Sequence, residues 1–197
     1  MPSSNKCPMA RRRNGAIFSA FAVLVVALLC AGVTAGVHHG LAGAFEQSDL
    51  ALDEAKGGAQ RKLLFPDATS FESQSATAVE GLNSVYKADT GAWVFDVTSA
   101  QGYHGDVELM IGINADGTVA GIQVVAEDET DGIGTNALTE EYFGGFAGSP
   151  AAGELTVDEA GAGQTHVDAV SGATFTSRAV VDCLNIAFAA YAQMGGN

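Results

Sequence analysis

The stretch DVELMIGINADGTVAGIQVVA, Asp106–Ala126, decides the fold. Apolar residues recur at every second position from Val107 to Ile113, as a half-buried strand requires. Asn114-Ala115-Asp116-Gly117 supplies turn chemistry, and Thr118–Ala126 resumes the strand pattern. Two strands joined by so short a turn run antiparallel. Upstream, Ala92–Thr98 (AWVFDVT) alternates in the same way, and Ser84–Ala88 reads as a further short strand. The core of the fold is therefore an antiparallel sheet.

Downstream the period changes. Glu127–Thr135 (EDETDGIGT) has no periodicity and reads as a loop, followed by a short helix over Asn136–Phe146. Leu155–Val157 and His166–Val170 read as short strands either side of a Gly-rich loop. Val180, Leu184, Phe188 and Tyr191 then recur at helical spacing, which predicts a helix over Thr176–Gln193 ending at Gly195-Gly196. Thr176 or Ser177 is the expected cap. Residues 81–197 thus read as one α+β domain with a mainly antiparallel sheet and packed helices. Residues 38–80 read as stalk and linker, helical from Gly40 to Leu64, stopped by Phe65-Pro66-Asp67 and irregular over Asp67–Gly81.

The N-terminal part carries a different signal. Gly15–Val37 has no charged residue, and as a helix it spans about 34 Å, enough for a bilayer core. Arg11-Arg12-Arg13 precede it, so the positive-inside rule puts residues 1–14 in the cytoplasm and the C-terminal domain outside. The net charge is -14, yet every charge up to Gly40 is positive, which leaves about -18 on the rest. So acidic a body argues against nucleic-acid binding. The three cysteines, Cys7, Cys30 and Cys183, fall in three compartments on this topology, so no internal disulfide and no cysteine-held metal is expected. Cys183 reads as a small core residue.

Two stretches bear chemistry. In Asp168–Ser177 (DAVSGATFTS) a strand enters a tight turn of small residues and then a helix. Free N–H groups at such a helix start suit a phosphate, and the small neighbours Ser171, Gly172 and Ala173 leave the Thr174 hydroxyl open to a bulky partner. Read from composition alone, the same residues make a helix cap. In Glu127–Thr135, Gly132 and Gly134 permit positive φ or close approach of backbone to a ligand. The acids there lack the spacing of an EF-hand, and a solvated acidic loop tip is the plain reading. No nucleophile–base pair is apparent, so no catalytic side chain is assigned.

Asp168-Ala169-Val170-Ser171-Gly172-Ala173-Thr174 resembles the Dxx(S/T)GAT signature of proteins that carry covalent FMN. Glu129–Thr135 (ETDGIGT) is similar to that family's ETPGLGxK loop near the flavin, and Gly102-Tyr103-His104-Gly105 with the hairpin after it resembles its GYxG strand pair. Gln60–Phe71 (QRKLLFPDATSF) resembles the segment after the membrane helix in the G subunit of the Rnf electron transport complex. The resemblance implies that a flavin transferase esterifies FMN to Thr174, with Thr176 as the second choice. It implies that Asp168, Ser171, Gly172, Ala173, Thr176, Glu129, Thr130, Gly132, Gly134 and Thr135 surround the cofactor or its attachment. It also implies a redox subunit, working with other subunits of a membrane complex that couples electron flow between ferredoxin and NAD to ion translocation. Asp131 stands where the family has proline and Asn136 where lysine is usual; these departures imply a looser, less electropositive loop. The C subunit of the sodium-translocating NADH:quinone reductase, a stand-alone exported FMN carrier, and a flavin-free anchored binding domain are the alternatives.

Overall fold

The computed structural model describes residues 57–75 and 79–195. The expected membrane helix over 15–37 and most of the stalk lie outside them. Among the described residues no helix is long and apolar enough to cross a membrane.

Five strands form one antiparallel sheet in the order of the chain: β1 (Phe71–Gln74), β2 (Leu82–Ala88), β3 (Trp93–Ser99), β4 (Val107–Ile113) and β5 (Val119–Glu127). The deciding hairpin is as expected. Asn114 N donates to Thr118 O at 2.8 Å, Gly117 N donates to Asn114 O at 3.0 Å, and Gly117 takes the positive φ of 81° that closes the turn. Alternation sorts the side chains between two faces. Val85, Phe95, Val97, Leu109 and Ile111 are buried beneath α3 (Thr174–Gln193), whose Val180, Cys183, Leu184 and Phe188 complete the main core. Tyr191 of that helix meets the Phe95 ring edge-on, centroids 6.2 Å apart.

The opposite face is covered by α1 (Ala59–Leu64) and the residues after it. Leu64 and Phe65 pack on Tyr86, Val94 and Met110. Gly112 and Gly121 are register partners on β4 and β5, and they make room for this packing. A Cβ at Gly112 would meet the Phe65 ring at 3.0 Å, and one at Gly121 would meet Leu64 at 3.4 Å. Arg61 is fully buried, with its guanidinium 3.9 Å from the Tyr86 ring centre. The final residues of the expected stalk are thus part of the packed domain, and β1 lies inside the stretch expected to be irregular.

The remaining elements carry the signature. The expected helix over 136–146 is a 3-10 turn, Gly134–Ala137, followed by the short helix α2 (Glu140–Gly144). Thr139 breaks the run and caps α2 by accepting from Tyr142 N at 3.3 Å. β6 (Glu154–Thr156) and β7 (Gln164–His166) pair in parallel, two residues earlier at β7 than the sequence pattern suggests. The Asn185 side chain of α3 holds β6 as a neighbouring strand would, accepting from Leu155 N at 2.8 Å and donating to Leu155 O at 2.9 Å.

Candidate functional site

α3 begins two residues earlier than expected. Thr174, not Thr176, is its first residue; Ala173 occupies the cap position and supplies no side-chain hydrogen bond. The expected cap by Thr176 or Ser177 is not made, because both hydroxyls point inward. Ser177 Oγ accepts from Val170 N at 3.0 Å and donates to Ala173 O at 3.0 Å, fastening the turn from below. Gly172 bends the turn with φ 83°, and nothing lies within 4 Å of where its Cβ would be. Ala173 is buried, while Ser171, Gly172 and Thr174 are exposed. The turn therefore displays the Thr174 hydroxyl at the open N-terminus of a 20-residue helix, with no acidic side chain in its first turn.

Thr176 has the opposite environment. It is 0% exposed, and its hydroxyl donates to Glu129 Oε2 at 2.9 Å. Glu129 joins three segments. Its Oε1 accepts from Tyr103 N at 2.7 Å and from His104 N at 3.4 Å, its Oε2 holds α3 through Thr176, and its side chain lies against the backbone of Gly134. Sequence reasoning placed Glu129 beside the cofactor; the structure makes it the tie between the GYHG turn, the acidic loop and the signature helix.

The two loop glycines differ in kind. Gly132 takes φ 73° with open space around it, so its backbone conformation demands glycine. Gly134 has no such φ; a Cβ there would stand 1.9 Å from Glu129 Oε2. Thr130 O accepts from Ile133 N and Gly134 N, both at 3.0 Å, and Thr135 Oγ1 accepts from Gly132 N at 2.9 Å. The Asn136 amide donates to Gly132 O at 2.8 Å. Asn136, which stands where lysine is usual, thus bridges the loop from its C-terminal side. Asp131 is exposed.

Around Thr174 the surface is apolar. Tyr103, Phe175 and Ile133 are 57%, 54% and 45% exposed, three of the four large hydrophobic side chains so exposed among the described residues. They line a cleft of about 280 Å³ with Gly134 and Gly172–Thr176. The Tyr103 and Phe175 rings stand 6.0 Å apart. Periodicity could not flag Ile133 or Phe175, since apolar side chains are ordinarily counted toward the core. A second cavity of about 690 Å³ borders Asp168 and Val170 and includes Tyr142, Phe146 and His166; it shares no residue with the first. The exposed Asp168 carboxylate stands 3.5 Å from His166 Nε2. Cys183 is buried and free, and burial pushes its thiol far above the ordinary range, as befits a core residue.

Residues 102–189 match the model of the FMN-binding domain, which takes in the GYHG turn, the acidic loop, the signature and most of α3. The G subunit of the Na(+)-translocating ferredoxin:NAD(+) oxidoreductase complex of Acetobacterium woodii is 27% identical, over 87% of this chain and 89% of that protein. The G subunit of the proton-translocating counterpart from Clostridium ljungdahlii is 33% identical, over 60% of this chain and 63% of that protein. The G subunit of the ion-translocating oxidoreductase complex of Pseudoalteromonas atlantica is 30% identical, over 87% of this chain and 84% of that protein. By the extent of these matches, the chain belongs to the family of G subunits of ion-translocating oxidoreductase complexes, with an FMN-binding domain.

Proposed function

We propose that this chain is the flavin-bearing redox subunit of a membrane complex that couples electron transfer between ferredoxin and NAD to ion translocation, and that its FMN is esterified to Thr174. The observation that carries the attachment is the contrast between the two threonines. Thr174 is exposed at the mouth of a cleft, and Thr176 is sealed against Glu129. The residues fit the group. The uncapped first turn of α3 offers N–H groups to a phosphate, the open space at Gly172 admits it, and Tyr103, Phe175 and Ile133 give a planar ring an apolar surface to lie against. The larger cavity does not contain Thr174, so a tethered flavin belongs to the smaller one.

Bound FMN supplies the electron-transfer chemistry. The chain's own residues orient and shield it. Glu129 holds the GYHG turn and α3 together, which fixes Tyr103 opposite Phe175. Ser177 and Gly172 fix the bend that presents Thr174. The two rings and Ile133 exclude water from one side of the cleft. A flavin transferase would read the exposed Asp168–Thr174 surface. The Gly15–Val37 segment would anchor the chain with its flavin domain outside the cytoplasm, and having no charge it offers no ion path of its own. The role is that of a carrier.

The test is co-expression with a flavin transferase, followed by denaturing electrophoresis imaged for flavin fluorescence. Wild type and Thr176→Val are expected to fluoresce and Thr174→Ala to be dark. A fluorescent Thr174→Ala band beside a dark Thr176→Val band moves the attachment to Thr176. A dark wild type, with the transferase active on a control, removes covalent FMN.

A further inference from the structure

Beyond Lys87 the chain has sixteen Asp and Glu and one cationic side chain of the Lys/Arg type, Arg178. That residue sits one helical turn beyond Thr174, where side chains on an α-helix are about 5–6 Å apart at Cβ. Helical side chains lean toward the N-terminus. Accordingly the Arg178 guanidinium reaches back over the first turn, 5.7 Å from the centre of the Phe175 ring.

Asp158 holds it there. Its Oδ2 accepts from Nε at 3.2 Å and its Oδ1 from Nη2 at 2.5 Å. The Asp158 backbone is braced in turn, its carbonyl 2.9 Å from His166 Nδ1 on β7. A guanidinium has five N–H donors. Asp158 takes two, and the rest make no hydrogen bond among the described residues. The pair is partly solvent-exposed, and exposed pairs add little to stability. What the pair does accomplish is to hold the only arginine of this acidic region beside the Phe175 ring, on the first turns of the helix that begins at Thr174.

We propose that Arg178 is the counter-charge of the phosphodiester formed when FMN is attached to Thr174, clamped for that purpose by Asp158; this rests on the attachment reading above. The diester keeps one negative charge. It meets the free N–H groups of the first turn of α3 from one side and the unspent guanidinium donors from the other. Arginine suits the task because its planar fork stays charged at any physiological pH.

The experiment is ³¹P NMR on the full chain, co-expressed with a flavin transferase and purified in detergent, as wild type, Arg178→Gln, Arg178→Lys and Asp158→Asn. Each is recorded native and in denaturant, and each is checked for flavin by in-gel fluorescence. The native wild-type resonance is expected to be displaced from its denatured position. Arg178→Gln should lose more than half of that displacement, Arg178→Lys part of it, and Asp158→Asn least, because it keeps the charge. Flavin present with an Arg178→Gln resonance unmoved from wild type overturns the proposal alone. A wild-type band without flavin overturns the attachment reading and this one with it. Should Arg178→Gln take up no flavin, Arg178→Lys decides: a resonance identical to wild type overturns the proposal, and a shifted one supports it.

Discussion

Gly134 is a glycine because of Glu129, and that claim can be measured. A Cβ at position 134 would lie 1.9 Å from Glu129 Oε2, 2.8 Å from its Cδ and 2.9 Å from its Cβ. In Gly134→Ala the carboxylate must swing away, and Oε2 is the atom that holds the buried Thr176 hydroxyl. Forcing a methyl into a packed site costs about 1–3 kcal/mol. Leaving a buried hydroxyl without its acceptor costs about 1–3 kcal/mol more. The loss of glycine's freedom in the unfolded chain returns about 0.4–1 kcal/mol. A net loss of about 2–4 kcal/mol follows, roughly 6–15 °C in Tm for a domain of this size. Glu129→Ala removes the same tie and should cost a similar amount. In the double variant the added methyl still meets the residual Cβ at 2.9 Å, but the Thr176 hydroxyl loses its acceptor only once, so the two losses should fall short of additive by about 1–3 kcal/mol. The assay is thermal unfolding of the four proteins followed by circular dichroism. Additive losses, or a Gly134→Ala protein as stable as wild type, would refute the role given to Glu129.

Other outcomes follow from single features. Tyr103→Ala and Phe175→Ala are each expected to leave Tm within about 2 °C, since exposed rings contribute little to stability, yet to change the visible spectrum of bound flavin. Asn185→Ala removes both side-chain bonds to Leu155 and should cost about 1–3 kcal/mol, read by chemical denaturation, with faster hydrogen exchange at β6. Desolvation first, and the Asp96 charge second, raise the Glu108 carboxyl above its ordinary range. A raised folded-state value means stability that is full at low pH and lost as pH rises through that value. Glu108→Gln is therefore expected to raise Tm at pH 7, with the gain disappearing as pH falls through the ordinary carboxylate range. Conversely, hydrogen bonding to Arg178 holds Asp158 below its ordinary value, so the advantage of wild type over Asp158→Asn should be present above that ordinary value and fade on acidification.

The strands were legible because the face against α3 is uniformly apolar, whereas the other face mixes Val94 and Met110 with Asp96, Thr98 and Glu108. Ala92–Thr98 and Asp106–Ala126 alternate because Phe95, Val97, Leu109 and Ile111 all face α3. β1 was not legible. Phe71–Gln74 is an edge strand with little apolar content, set in its place by pairing with β2. The start of α3 was misplaced because its threonine and serine hydroxyls serve Glu129 and the Ala173 carbonyl instead of the helix cap. The signature itself was readable as a motif, but only coordinates separate an exposed Thr174 from a buried Thr176 two residues on. Nothing in EDETDGIGT distinguishes the one acid that joins three segments from the others in the loop. The isolation of Arg178 is visible by counting; its place beside the Phe175 ring depends on the helical turn between the two, and on a loop that brings Asp158 alongside.

The five-stranded sheet follows the order of the chain, each strand beside the one before it. A polypeptide delivered N-terminus first can therefore add strands one at a time, with every new pairing local. α3 follows all five strands in the sequence, and its docking covers the apolar face of the sheet and sets Thr174 at the start of a 20-residue helix. On the proposed attachment at Thr174, the helix start that faces the phosphate exists only once this helix has formed, so the charge that FMN brings would be met by the folded domain and not by the nascent chain.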